Sequence, residues 1–231
     1  MSKAIVGRKL GMSQIFAPDG TVIPVSVVEA TPCSIVQVKT KEKDGYAAVK
    51  VAYGKQVSLK ILSKPVAGQF KNAGVTAYAK RFKEFRFANA SEYKTGDSIT
   101  CSVFQKGDKV DVTGKTKGHG FSGTIKRWNT HCGPKAHGSG YHRGVGSLGA
   151  NSTPSRVFKN KKMPGQYGNE QVTIQNLEIV KVDESRNLLF VSGGIPGADG
   201  GTVTIKQTVK KVTKSSRWYK EPKATTATGK K

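Results

Sequence analysis

Residues Val112 to Asn169 read VTGKTKGHGFSGTIKRWNTHCGPKAHGSGYHRGVGSLGANSTPSRVFKNKKMPGQYGN. This stretch contains ten Lys or Arg, twelve Gly and all four His of the chain, but no Asp or Glu. Its apolar residues follow neither the two-residue period of a strand nor the 3.6-residue period of a helix. The stretch therefore cannot bury a face of its own.

Aromatic residues are nevertheless spaced through this stretch, among them Phe121, Trp128 and Tyr141. Glycines let a backbone approach a partner closely, cations neutralise phosphates, and aromatic rings stack on bases. The combination predicts an extension that becomes ordered inside folded nucleic acid. The alternative is a flexible linker or solvated tail, as many Gly- and Lys-rich runs are. A linker, however, needs no Trp128 or Tyr141 and normally contains some acids.

The whole chain of 231 residues is basic, with 39 Lys and Arg against 15 Asp and Glu, a net charge of +24 and a pI near 10.1. Such a charge repels itself in a free globule and predicts a polyanionic partner, most often nucleic acid. A membrane surface is the competing partner. The sequence has no apolar run of about 18 residues and no basic amphipathic helix, so no membrane contact is expected.

Two features predict a cytoplasmic chain. The N-terminal residues MSKAIVGRKLGMSQIF have neither an apolar core nor a small-residue cleavage site, so no secretory signal is expected. Cys33, Cys101 and Cys132 are scattered and odd in number. They do not make a disulfide framework, which fits a reducing compartment.

Both flanks of the stretch predict β structure with ordinary acid content. Short segments rich in β-branched residues and bounded by turn signals lie at 12–16, 21–29, 34–40, 46–53, 98–104, 109–113, 171–182, 188–192 and 202–207. Ala17-Pro18-Asp19-Gly20 is one such turn. This spacing predicts a small barrel or sandwich, and the simplest account is one barrel into which a long loop is inserted.

We therefore expect a mainly β chain with a discontinuous β-barrel domain over 1–113 and 166–209. A small mixed excursion is expected at about 55–95, in which 64–73 is weakly helical at best and 81–87 alternates like a strand. A surface loop is the alternative for this segment. Residues 114–165, called the extension below, form a long, irregular basic loop. Residues 210–231 form a basic disordered tail, in which Arg217, Trp218 and Tyr219 are candidate RNA contacts.

Metal and catalytic sites find little support. His119, His131, Cys132, His137 and His142 lie close in sequence, but their spacing matches no zinc ribbon or finger, and no carboxylate is near. Nothing would orient a base between Cys132 and His137, and the extension has no paired acids. Its Gly-rich runs lack the strand-to-helix setting of a nucleotide loop. No enzyme activity, cofactor, metal or small-molecule substrate is expected.

The basic residues are distributed along the extension rather than gathered in one block, which fits phosphate contacts along a path through RNA. Readers of DNA usually present a recognition helix, and no helix-turn-helix pattern is present. A Gly-rich backbone that follows shape suits the irregular surfaces of RNA.

Long motifs carry a family likeness. GRKLGMSQIFAPDG, VVEATPCSIVQVKT, KPVAGQFKNAGV, KVDVTGKTKGHGFSGTIKRW, HGSGYHRGVGSLGANSTPSRVFKNKKMPGQYGNEQVTIQNLEIVKVD and RNLLFVSGGIPG occur in this order. From about Gly7 to Ile205 the chain resembles the bacterial large-subunit ribosomal protein of the universal L-three family.

The resemblance implies a β-barrel of the translation-protein type and an extension that penetrates the large subunit toward the peptidyl transferase centre. It implies primary binding of large-subunit rRNA near its 3′ end, nucleation of subunit assembly, and ribosomal proteins L-fourteen and L-nineteen as neighbours. The extension tip matches residues 146–154. Many relatives carry a methylated Gln at the position of Ala150, so that modification is not expected here.

The candidate rRNA-binding residues fall into three groups. Cations for phosphate are Lys115, Lys117, Lys126, Arg127, Arg143, Arg156, Lys159, Lys161 and Lys162. Side chains for stacking or base-edge contact are Trp128, Tyr141 and His142. Further polar candidates are His119, His137, Ser147 and Asn151.

Two other functions remain as alternatives. An RNA-modifying or RNA-processing enzyme would use the extension to hold its substrate, but it needs a catalytic constellation. A nonspecific RNA chaperone would bind unrelated RNAs with equal affinity. The leading hypothesis is a structural rRNA-binding protein.

Overall fold

The structure is a computed structural model that describes residues 3–210, and it divides into two compact units. The first comprises the described residues up to Lys115 and from Val172 onward. The second, called the insertion unit below, is Thr116–Gln171. The candidate RNA contacts Arg217, Trp218 and Tyr219 lie outside the described residues, as does the predicted tail from 211 onward.

The first unit is built on a closed six-stranded antiparallel barrel. Going round it, each strand is hydrogen-bonded to the next, and the last pairs with the first: β1 (Ala4–Phe16), β12 (Thr202–Gln207), β7 (Lys109–Lys115), β10 (Gln171–Asp183), β11 (Leu188–Ser192) and β2 (Val22–Glu29). Strands make up 40% and helical segments, 3₁₀ turns included, 13% of the residues that the structure describes. The prediction of a mainly β chain with a barrel and a small mixed excursion is confirmed.

A second sheet lies outside the barrel. Its strands are β5 (Ala79–Phe85), β4 (Ala48–Gln56), β3 (Cys33–Lys39) and β6 (Ser98–Ile99), in that spatial order. The predicted strand over 98–104 is wrong beyond Ile99, because Cys101–Val103 forms a 3₁₀ turn. Only Ser98 and Ile99 pair with β3, at Ser34 and Cys33.

The turn between β1 and β2 forms where the sequence predicts it. The Ala17 N–H donates to Thr21 O, and the Gly20 N–H donates to Ala17 O, both at 2.9 Å. Asp19 Oδ1 accepts from the Thr21 N–H at 3.0 Å. This short polar turn sets the register in which Phe16 faces Val22.

The helices are short. They are α1 (Lys41–Asp44), α2 (Lys64–Ala73) and α3 (Thr124–Trp128), with 3₁₀ turns at Leu59–Ile61, Ala90–Glu92 and Cys101–Val103. Among residues 3–210, no helix has the length and apolar character needed to cross a membrane.

Helix α2 is better formed than its sequence suggests. Pro65 occupies its first turn, where a missing N–H costs nothing, and Gly74 ends it in the left-handed conformation. Phe70 is fully buried, with its ring centroid 5.4 Å from those of Tyr78 and Phe82. Tertiary packing of Phe70 therefore stabilises a segment whose own helix propensity is weak.

One hydrophobic core joins the two sheets of the first unit. Barrel residues such as Val112, Ile179 and Leu189 belong to the same buried cluster as Ile35 and Phe85 of the second sheet. Every residue of this cluster lies outside the insertion unit. The core is therefore complete without the extension.

A buried ion pair links neighbouring barrel strands. Lys109 Nζ lies 2.6 Å from Glu178 Oε2, and the side chains are 12% and 2% exposed. The Glu178 N–H donates to Ser192 Oγ at 3.1 Å, which ties β10 to β11 at the same level. Since a buried charge without its partner is costly, the pair constrains strand register.

We predict that Glu178→Gln lowers the free energy of unfolding by about 3 kcal/mol, because it leaves the Lys109 ammonium without its counterion. The matched control is Glu84→Gln, which removes one partner of the more exposed Lys39–Glu84 pair and should cost less than about 1 kcal/mol. Urea unfolding followed by far-UV circular dichroism measures both. Equal losses in the free energy of unfolding would show that the buried pair contributes no more to stability than the exposed pair.

The three thiols differ sharply in burial. Cys33 and Cys101 are buried and Cys132 is exposed. Burial raises the pKa of the Cys33 and Cys101 thiols above its ordinary value.

We predict that at pH 8 a chromogenic disulfide reagent modifies Cys132 quickly and the other two thiols only at the rate of unfolding, since the thiolate is the reactive form. Three equally fast thiols would contradict this core, and Cys132→Ser is the control that removes the fast phase.

Candidate nucleic-acid interface

The insertion unit begins and ends with two segments that run side by side, called limbs below. The first limb is 116–128 and the second is 163–171. β8 (Gly120–Ser122) pairs antiparallel with β9 (Gly165–Tyr167), with Phe121 opposite Gln166. The Thr116 N–H donates to Glu170 O at 2.9 Å, and the Glu170 N–H donates to Thr116 Oγ1 at 3.2 Å. The residues between these limbs thus form a closed loop with a hydrogen-bonded base.

His119 and Tyr167 stack across this base. Their ring centroids are 5.0 Å apart with an interplanar angle of 21°, and the His119 N–H donates to Tyr167 O at 2.9 Å. One face of the His119 ring is therefore covered by Tyr167. The residue is nevertheless exposed to solvent.

Helix α3 connects the limbs a second time. It is a single turn that ends at Asn129, whose N–H donates to Ile125 O at 2.9 Å. Arg127 Nη1 and Trp128 Nε1 both donate to the carbonyl oxygen of Met163, at 3.0 and 2.9 Å. One backbone acceptor on the second limb thus fixes two side chains of the first.

Two cations lie near the Trp128 ring. The Arg127 guanidinium carbon lies 4.8 Å from the ring centroid and Lys162 Nζ lies 5.9 Å from it, both within cation–π range. Trp128 is 40% exposed. It packs on the protein through its N–H and keeps part of its ring open to solvent.

Residues 133–146 form a loop around Tyr141. The Gly133 N–H donates to His142 O, and His142 Nδ1 lies 2.9 Å from Pro134 O. Because a carbonyl only accepts, Nδ1 carries a proton in this bond. The Gly146 N–H donates to the Tyr141 hydroxyl, and the Tyr141 ring packs so closely on Gly144 that a Cβ there would overlap it. Tyr141 organises the loop and is still 51% exposed.

The segment from 146 to 162 is more open. Ser147 Oγ donates to Gly149 O at 2.9 Å, and Thr153–Pro154 is a cis peptide. The Arg156 guanidinium carbon lies 5.3 Å from the Phe158 ring centroid. Every residue from 145 to 162 is exposed, Ala150 and Asn151 included.

The insertion unit has almost no interior. From 125 to 177 no residue is buried, and Glu170 is the only acid between 116 and 171, against nine Lys and Arg. No cation of the unit forms an ion pair with any residue that the structure describes. The positive field is therefore compensated neither by burial nor by internal acids.

The predicted site residues are exposed, apart from the half-buried Arg127. The structure brings together Arg127, Trp128 and Lys162 beside Met163, and places Tyr141 and His142 in one loop. The remaining candidates are spread along the insertion unit, except Lys115, which ends β7 in the first unit.

Three residues that are absent from the predicted rRNA-binding set share these properties. Lys135 is a further exposed cation, Phe121 is 80% exposed, and Phe158 is 55% exposed beside Arg156. The signal was present, because each is a cation or an aromatic ring within an acid-free segment. No group of three or more His, Cys, Asp or Glu suited to a metal ion occurs among residues 3–210.

A family model described as ribosomal protein L3 matches residues 71–188, just over half of the chain. The match includes the whole insertion unit and the barrel strands β7 and β10 on either side of it. Members of this family are structural proteins of the large ribosomal subunit that bind rRNA and have ribosomal neighbours. The chain, with its barrel and its uncompensated cationic insertion, belongs to the ribosomal protein L3 family.

Proposed function

We propose that this chain is a primary rRNA-binding protein that binds large-subunit rRNA near its 3′ end and nucleates subunit assembly. The barrel docks on the subunit surface, and the extension reaches toward the peptidyl transferase centre. The chain acts in the cytoplasmic ribosome without catalysis or a cofactor. Ribosomal proteins L-fourteen and L-nineteen are its neighbours.

One observation carries the role of the extension. The segment from 125 to 177 has no buried residue, and the cations of the insertion unit have no ion-pair partner among the described residues. A chain with neither a core nor counterions gains little by folding alone. Converging RNA helices supply both, because phosphates neutralise the cations and bases cover the rings.

The geometry refines the proposed roles of the site residues. Trp128 offers the open part of its ring to RNA, since its N–H is bonded to Met163 O. Arg127 holds the two limbs together and contacts phosphate with its remaining donors. Since Ala150 occupies the position of the methylated Gln of many relatives, the tip assembles here without that modification.

The test uses a trimmed chain in which residues 124–163 are replaced by a short Gly/Ser loop, which preserves the β8–β9 pairing. A 3′ fragment of large-subunit rRNA is titrated with each chain, against an unrelated RNA of equal length as competitor. We expect the intact chain to prefer the cognate fragment and to show a log–log salt slope of about −4 to −5, as neutralising roughly six phosphates requires. The trimmed chain should bind more weakly and with a shallower slope.

Three outcomes would contradict the proposal. A trimmed chain that binds just as selectively would place recognition on the barrel alone. An intact chain that binds both RNAs equally would be a nonspecific chaperone. A salt slope near zero for the intact chain would remove the electrostatic argument.

We further predict that amides from 115 to 165 exchange rapidly with solvent in the free protein and slowly in the RNA complex. The reason is the absence of buried residues in this segment beyond Thr124. Hydrogen exchange read by mass spectrometry measures both states, and barrel amides of β7 and β11 serve as the internal reference. Strong protection of the extension without RNA would show that it folds independently.

A further inference from the structure

A second basic surface lies in the first unit, far along the chain from the extension. A cleft of about 990 Å³ is lined by β1 and β12 of the barrel on one side and by β4 and β5 of the second sheet on the other. It differs from the extension in being enclosed by paired strands.

The cleft is electropositive. Arg8, Lys55, Lys80 and Arg81 line it, against the single acid Glu29. None of these four cations forms an ion pair with a residue in the described part of the chain. Four cations that line one cleft without counterions indicate an anionic ligand.

The row of cations continues beyond the cleft. Arg81, Lys83 and Phe85 alternate on one face of β5, and Arg81 Nη1 donates to Thr202 Oγ1 of β12 at 3.2 Å. Further along β12, Lys206 Nζ lies 6.0 Å from the Phe85 ring centroid. Burial, with the nearby Lys83 charge, holds the pKa of Lys206 below its ordinary value. Like charges are thus held close together along the seam between the sheets.

The wall around Arg8 is preformed. The Gly200 N–H donates to Lys9 O at 2.7 Å, and the Lys9 N–H donates to Gly201 O at 2.9 Å. Gly200 has a φ of +79°, and a Cβ there would lie 3.2 Å from Arg8 Nη2. Glycine at this position therefore both permits the turn and leaves room for the guanidinium.

The other lining groups suit a nucleotide. Hydroxyls of Ser34, Ser98 and Thr202 can bond to ribose or phosphate oxygens, and Tyr53 presents a half-buried ring. The Glu29 carboxylate can accept hydrogen bonds from a base amino group or a 2′-hydroxyl. A volume at the upper end of the roughly 300–1,000 Å³ of small-ligand sites admits a short piece of one strand, not a duplex.

We propose that this cleft binds a single-stranded or looped segment of RNA, with its phosphates on Arg8, Lys55, Lys80 and Arg81 and a base against Tyr53. The proposal rests on the RNA-binding role of the chain but not on the extension. It names the surface of the first unit at which RNA binds. An acidic peptide is the competing ligand, and the experiment separates the two.

The full-length chain is titrated with a uridine decamer and, separately, with a glutamate decamer. The cleft variant is Lys55→Gln/Lys80→Gln/Arg81→Gln. The charge-matched control is Lys41→Gln/Lys43→Gln/Lys60→Gln, whose three lysines are exposed and do not line the cleft. We expect the cleft variant to lose about tenfold or more in affinity for the uridine decamer and about 2 units of salt slope, at roughly 0.7 per phosphate. The control should lose less than about threefold.

Crosslinking locates the contact. A decamer with one 4-thiouridine should crosslink to the peptide that contains Tyr53, both in the intact chain and in the trimmed chain that lacks residues 124–163. Persistence in the trimmed chain separates this site from the extension, so either proposal can fail alone. Circular dichroism melting of each variant confirms that it is folded before binding is compared.

Equal losses in the cleft variant and the control would overturn the proposal, since the charge would then act only at long range. Absence of the Tyr53 crosslink in both chains would also overturn it. Tighter binding of the glutamate decamer, abolished in the cleft variant, would assign the cleft to an acidic protein tail instead.

Discussion

The pairing of β7 with β10 in the closed barrel is the constraint on which the rest of the structure depends. These neighbours in space are separated in sequence by the insertion, and the buried Lys109–Glu178 pair joins them. Because neighbouring strands lie about 4.8 Å apart, the barrel holds the two ends of the insertion close together. Because loop-closure entropy grows only slowly with length, a long insertion at such a point costs the barrel little. Because the buried core lies wholly in the first unit, the insertion does not need a core of its own.

The insertion unit is held together without acidic side chains as hydrogen-bond acceptors. Its donors bond to backbone carbonyls: Arg127 and Trp128 to Met163 O, and His142 to Pro134 O. A carboxylate would satisfy the same donors but would cancel positive charge. Carbonyl acceptors shape the loop and leave its whole field for phosphate. The composition of the extension and its internal hydrogen bonding are thus two aspects of one requirement.

The sequence predicts those parts of the fold whose signals are local. The turn at Ala17–Gly20 and the strands at 188–192 and 202–207 lie where pattern and turn chemistry place them. The strands at 34–40 and 46–53 are also present, but they pair with each other and with β6 and β5, respectively, in a separate sheet. Alternation identifies a strand and one buried face, and it says nothing about which distant strand it pairs with. Helix α2 was underestimated for a related reason, since burial of Phe70 is decided by Tyr78 and Phe82.

The candidate site divides in the same way. Composition alone identifies the extension, because its cations and aromatic rings lie in one continuous segment without acids. The acceptor at Met163 is a backbone carbonyl and has no sequence signature. The cleft is equally hidden, since Arg8, Lys55 and Arg81 are cations scattered among ordinary strands and meet only when the two sheets pack.

The cleft and the extension differ in how much must become ordered when RNA binds. In the cleft, paired strands already hold the backbone of Arg8 and Arg81, so the binding proposed there would order side chains only. In the extension, binding orders a segment without a core, and coupled folding consumes about 2–5 kcal/mol or more of the gross interaction energy. If both contacts form as proposed, each cation in the cleft contributes more net affinity than each cation in the extension. The extension instead makes its affinity conditional on a folded RNA environment, because only converging helices supply enough contacts to offset the cost of ordering it.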